Sequence, residues 1–176
     1  MKKYLKIAVI FTTLFLVVGG YFIFANRQEW KTYTNTDPVF SFSYPKSWGE
    51  PEIYQNKEKD EFDVSFGNSA FMISNGYYFM EDVNGKRPTV PQLVQSYKDD
   101  MNAKNEIKDF QVVNIQVDNH SAIKVSANNL NGSHYNDVYI YQDNQNPDKF
   151  ILITGNRTFV DDATFNKVLS TFRFSK

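Results

Sequence analysis

A length of 176 residues predicts one globular domain, and the absence of cysteine excludes disulfides, thiolate metal centres, thiol nucleophiles and a lipidated cysteine. The 19 Lys and Arg residues face 20 Asp and Glu residues. Lys2, Lys3 and Lys6 precede every acidic residue, so the chain after them is mildly acidic and lacks the electrostatic footprint of a nucleic-acid-binding protein.

Residues 7–24, IAVIFTTLFLVVGGYFIF, form an 18-residue run without a charge. As a helix this run would span roughly 27 Å, close to a hydrocarbon core of about 30 Å. Tyr4 and Tyr21 stand near its ends, where amphipathic rings prefer to sit, and the lysines before it outnumber Arg27 and Lys31 after it. These features predict contact with the membrane through residues 7–24, a single-pass segment with a cytoplasmic N-terminus and an extracytoplasmic domain. A cleaved signal peptide is the competing reading, with Ile7 to Val18 as its apolar core, although neither Gly20 nor Ala25 offers a good small-x-small cleavage pattern. The division is then 1–28 for the anchor or signal peptide and 29–176 for the domain.

Within the domain, Val39 to Tyr44 alternates, with Phe40, Phe42 and Tyr44 on one face. Pro45 fits a strand end, and Trp48 is placed to fold back over the sheet. The charge run from Lys57 to Glu61 reads as a solvated turn, and Phe62, Val64 and Phe66 alternate as a strand. Asn75-Gly76 between FMIS and YYFM predicts a type I′ hairpin over Phe71 to Met80. Thr89 to Lys104 predicts a helix capped by Thr89, with Leu93, Val94, Tyr97 and Met101 in one stripe. Strands are expected over 112–117, 121–128, 135–142 and 149–155, the last apolar on both faces and therefore central. A final helix should start at Asp161 or Asp162 and run to about Thr171, burying Phe165, Val168, Leu169 and Phe172.

Motifs of catalysis are scarce. His120 and His134 lack an H-x-x-H spacing, and no nucleophile elbow, phosphate loop or dinucleotide fingerprint is present. The oxygen-rich stretch from Asp143 to Asp148 lacks the glycine and the distant glutamate of a calcium loop and reads as a turn. No cofactor or metal site is expected, and no catalytic residue is assigned.

Tyr33, the run FSFSYPKSW from Phe40 to Trp48, the later helix and long strands, and the closing block TFNKVLSTFRF together resemble the Mog1/PsbP-like family. The likeness covers about residues 31–174 and is most like the short bacterial PsbP-related envelope proteins. The resemblance implies an α+β fold, an α/β/α sandwich with a central antiparallel sheet flanked by helices. It implies no activity.

The expectation for function is a non-catalytic binding or adaptor module of the cell envelope, acting on an envelope protein. A small-ligand carrier, or an enzyme whose site is assembled from distant loops, is the alternative. The expected partner surface is tyrosine-rich. Tyr135, Tyr139 and Tyr141 alternate along one strand, and Tyr77 and Tyr78 follow the Asn75-Gly76 turn. Tyrosine is enriched at interface hot spots because it contributes apolar area and a hydroxyl at low entropic cost. A helix lying over that face would instead make those rings part of the core.

Overall fold

The computed structural model describes residues 28–58, 61–75, 87–103, 107–129, 134–143, 145–146, 148–156 and 158–174; at 107–108, 129 and 134–135 it describes the backbone alone. The alternation of β2 (Val39–Pro45) sets its inward face: Phe40, Phe42 and Tyr44 are all buried. β1 (Trp30–Thr36) pairs antiparallel with β2, Tyr33 opposite Phe42, across a turn that holds the cis peptide Asp37–Pro38. On the other side of β2 lies β10 (Arg173–Phe174), with Phe174 opposite Phe40. These make a three-stranded sheet with β2 in the middle. A short 3-10 turn, Lys46–Trp48, then brings the Trp48 ring to 4.9 Å from that of Phe71.

The second sheet has seven strands, all antiparallel. They are β3 (Glu52–Asn56), β4 (Glu61–Phe66), β5 (Phe71–Ser74), β6 (Ile107–Val117), β7 (His120–Asn129), β8 (His134–Tyr141) and β9 (Phe150–Asn156). Their spatial order is β3-β4-β5-β9-β8-β7-β6. β9 is interior, as its two-faced apolar pattern requires, and Phe150 to Ile153 are all buried. Asp118 and Asn119 join β6 to β7 with φ of 47° and 66°, the left-handed pair that a two-residue type I′ hairpin demands. β5 is paired on both edges, with β4 and β9, which leaves no edge free for the expected Asn75-Gly76 hairpin over Phe71 to Met80; residues 76–80 lie outside the described residues.

Two helices complete the described chain. At the start of α1 (Val90–Ala103) the Gln92 side chain accepts from both the backbone N–H and the hydroxyl of Thr89, so the cap works in reverse of the usual direction. α2 (Asp162–Thr171) is capped by Asp161, which accepts from the Thr164 N–H at 2.7 Å.

The core has two parts, one on each face of the large sheet. On one face Phe62, Val64, Phe66, Phe71, Ile73, Val138, Ile140, Ile151 and Ile153 meet the aromatics of β2 and the α2 stripe Phe165, Val168, Leu169 and Phe172. On the other face α1 sets Val90 and Leu93 against Val125, Tyr139, Phe150 and Leu152.

This arrangement corrects the expected α/β/α sandwich. β2 has both edges occupied, by β1 and β10, so it cannot join the large sheet and forms a layer of its own. That layer, shared with α2, fills the place that a helical layer was expected to take. The protein is therefore mostly β, with two antiparallel sheets and, among the described residues, two helices.

The expected transmembrane helix and single-pass location are corrected as well. Among the described residues no helix is long and apolar enough to cross a membrane. α1 and α2 have 14 and 10 residues, each with one polar side, and about 20 apolar residues are needed to span a bilayer. Residues 7–24, which carried that expectation, lie outside the described residues.

Candidate functional site

Three of the tyrosines expected to meet a partner, Tyr135, Tyr139 and Tyr141, stand at alternate positions of β8. Tyr139 is only 4% exposed and packs edge-on against Phe150, with ring centroids 5.6 Å apart. Its position under α1 raises the pKa of its hydroxyl through desolvation. Tyr141 is half-buried at the margin of the same cluster. Tyr135 sits in β8 opposite Ala127 and Asn156, with its backbone alone described. Tyr77 and Tyr78 lie outside the described residues. The structure thus gathers Tyr139 and Tyr141 beneath and beside a helix, and α1 makes Tyr139 a core residue.

Among the described residues, the β6 edge of the large sheet is left without a paired strand. β6 runs for 11 residues and, among the described residues, pairs only with β7. From Gln111 to Gln116 it carries no charge and no proline, and Val112 and Val113 are 47% and 51% exposed. The opposite edge, β3, is shorter at five residues, with Ile53 and Tyr54 exposed.

Beside β6 lies a polar cleft of about 280 Å³, on the α2 side of the sheet. β6 contributes Asp109 and Gln111, β7 contributes Lys124, Ser126 and Asn128, β8 contributes Asn136, and α2 contributes Asp162 and Asn166. Period-two geometry explains the set, because alternate residues of a strand share one face. The α2 stripe covers that face over Val138 and Ile140 but leaves the outer corner polar.

The cleft side chains hold one another. Asn136, only 1% exposed, accepts from the Ser126 hydroxyl and donates to Asp162 Oδ1, each at 2.8 Å. Asn128 donates to Asp109 Oδ2 at 3.1 Å. The Lys124 ammonium donates to Asn166 Oδ1 at 3.0 Å and lies 5.5 Å from the centre of the Phe165 ring. The cleft therefore presents two carboxylates and one ammonium on a prearranged hydrogen-bonded floor, a lining suited to a polar or cationic group.

His120, Asp143, Asp63 and Asp137 belong to the frame. His120 meets the Asp118 carbonyl oxygen at 3.1 Å and rests against the Phe174 ring. The Asp143 side chain accepts from the Gln145 N–H and stabilises the turn between β8 and β9, and that bond holds its carboxyl below the usual range. Burial pushes the Asp63 carboxyl up, and that of Asp137 up to about 6. Among the described residues no group of three or more His, Cys, Asp or Glu side chains could hold a metal ion.

The cleft is invisible to a motif search because its residues come from four elements. One local signal exists: Lys124, Ser126 and Asn128 put polar residues on the face of β7 that Ala122 begins as apolar. A strand face that turns polar partway along marks where its cover ends.

No family model matches the chain, and no curated protein matches it. Among solved structures it is similar to cyanobacterial PsbP (CyanoP) from Synechocystis sp. PCC 6803, at 15% identity over 84% of this chain and 94% of that one, with a TM-score of 0.44. That neighbour is a PsbP protein, the group that the run from Phe40 to Trp48 resembles.

Proposed function

We propose that the chain is a non-catalytic binding module that receives an extended segment of a partner protein along β6. One observation carries this reading: an 11-residue edge strand whose stretch from Gln111 to Gln116 has neither charge nor proline and exposes Val112 and Val113. Sheet proteins ordinarily guard their edges with charges, prolines, bulges or shortness. Here the one irregularity lies between Ile107 and Asp109, before the open stretch. An edge of this kind can accept a further strand, which gains main-chain hydrogen bonds from the ladder and selectivity from its alternate side chains.

An enzyme would use the Asp109 and Asp162 pair of the cleft. Both carboxylates already accept from asparagine amides, Asp109 from Asn128 and Asp162 from Asn136, and are occupied in holding the cleft floor. The two carboxyls that burial raises, Asp63 on β4 and Asp137 on β8, are separated by β5 and β9. That is three strand spacings, roughly 14 Å, too far for a catalytic pair.

The test is a photo-cross-linking amino acid placed at Val113 and, as a control, at Ile53 on the opposite edge. The expected outcome is an adduct from position 113 that maps to one extended segment of one protein. A synthetic copy of that segment should then slow hydrogen exchange at the β6 amides. Equal adducts from both edges, or protection confined to α1, would refute strand addition at β6.

A further inference from the structure

We infer that the segment received by β6 carries a lysine or arginine side chain and that the polar cleft is where this side chain goes. This rests on the strand-addition reading above. Asp109 and Gln111 belong both to β6 and to the cleft lining, so the edge and the cleft are one continuous surface. A strand added beside β6 would place alternate side chains on that same face, with Cβ atoms about 4.5–5.5 Å from those of the residues opposite. From there a long side chain passes over β6 and reaches β7, since neighbouring strands lie about 4.8 Å apart.

Charge decides which side chain fits. The lining holds two carboxylates, Asp109 and Asp162, against the single ammonium of Lys124. That ammonium is drawn toward Asn166 and the Phe165 ring, at the α2 side of the cleft. Asp109 stands at the β6 side and is exposed. An incoming cation therefore meets Asp109 first, while an incoming carboxylate meets like charge at the entrance. An uncharged side chain can at most hydrogen-bond Asp109 and leaves its charge without a counter-ion.

The probes are three synthetic peptides, Ac-Thr-Val-Thr-X-Thr-Val-Thr-NH2, with X as Arg, Gln or Glu. Each is titrated into isotope-labelled protein, following the backbone amides of 111–116 and the side-chain amides of Asn128 and Asn136. All three should shift the β6 backbone signals. Only the Arg peptide should shift the two cleft amides, and it should bind about ten-fold tighter than the Glu peptide at low salt. That preference should collapse in Asp109→Asn and in about 0.5 M salt, where screening shortens the reach of the charge. Equal affinities for the three peptides, with β6 signals shifting, would overturn the cleft assignment and leave strand addition standing. No shift at β6 with any peptide would overturn strand addition and this inference with it.

Discussion

The interior carboxyl of Asp137 makes a pH dependence that can be worked through. Asp137 lies on β8 between Val125 of β7 and Thr154 of β9, two residues before Tyr139. Its Oδ1 is buried without a hydrogen-bond partner. Desolvation penalises the charged form, and the hydrogen bond with Thr154 offsets only part of that, so the carboxyl is pushed from 3.8 up to about 6. A folded-state value above the unfolded one means that the native protein binds more protons between those limits, so stability falls as pH rises through them. The displacement corresponds to about 3 kcal/mol, lost between roughly pH 3 and pH 7, which is a large share of a typical total of about 5–15 kcal/mol.

The perturbation is Asp137→Asn, and the assay is urea unfolding of both proteins at several pH values. The amide adds an offset that does not depend on pH, so the informative quantity is how the difference changes. The variant should gain on the parent by about 2 kcal/mol as pH rises from 4 to 6.5 and hardly further above it. Other shifted groups cancel in the difference. These include Asp63, which acts in the same direction, and Glu29, Asp143 and Asp161, whose lowered values act in the opposite one. A difference that stays flat from pH 4 to 7 would refute the reasoning.

Further expectations follow from packing. Tyr139→Ala should cost about 3–5 kcal/mol, as loss of a buried aromatic; an unchanged urea midpoint would return that ring to the surface. At Gly155 an added Cβ would stand 2.6 Å from Phe165 Cδ2, so Gly155→Ala should cost about 1–3 kcal/mol by overpacking. Adding Phe165→Leu should recover part of that, a coupling that a double-mutant cycle reads directly. Leu169→Ala should lower stability by about 2–5 kcal/mol. Asp161→Ala should lower it by about 1 kcal/mol through the lost helix cap.

Local periodicity made much of this fold legible. The inward face of β2, the interior place of β9 and the buried stripe of α2 all follow from spacings of two and of three to four residues, whereas the choice between Asp161 and Asp162 as the cap came only with the structure. Pairing between distant strands leaves no such trace. Nothing near Phe40 states that Phe174 will lie opposite it, yet that pairing closes β2 into its own sheet and removes it from the larger one. The tyrosines of β8 show a related limit. Alternation places Tyr139 and Tyr141 on one face but does not say whether a helix covers it, and α1 does. The cleft was the least legible part, because Asp109, Asn136 and Asp162 come together only after β6, β8 and α2 have packed.

The pairing that closes the small sheet also sets an order in time. The Ser43 N–H donates to the Thr171 hydroxyl, and Phe174 pairs with Phe40. A ribosome delivers β1 and β2 first, and a two-stranded ribbon is at best marginally stable in water. At about 5–20 residues per second, the aromatic face of β2 waits roughly ten seconds for α2 and β10. Throughout that interval Phe40, Phe42 and Tyr44 lack their native cover. Nascent chains stalled before residue 162 should therefore be captured by a chaperone that binds extended aromatic segments, and chains that expose residue 174 beyond the exit tunnel should not.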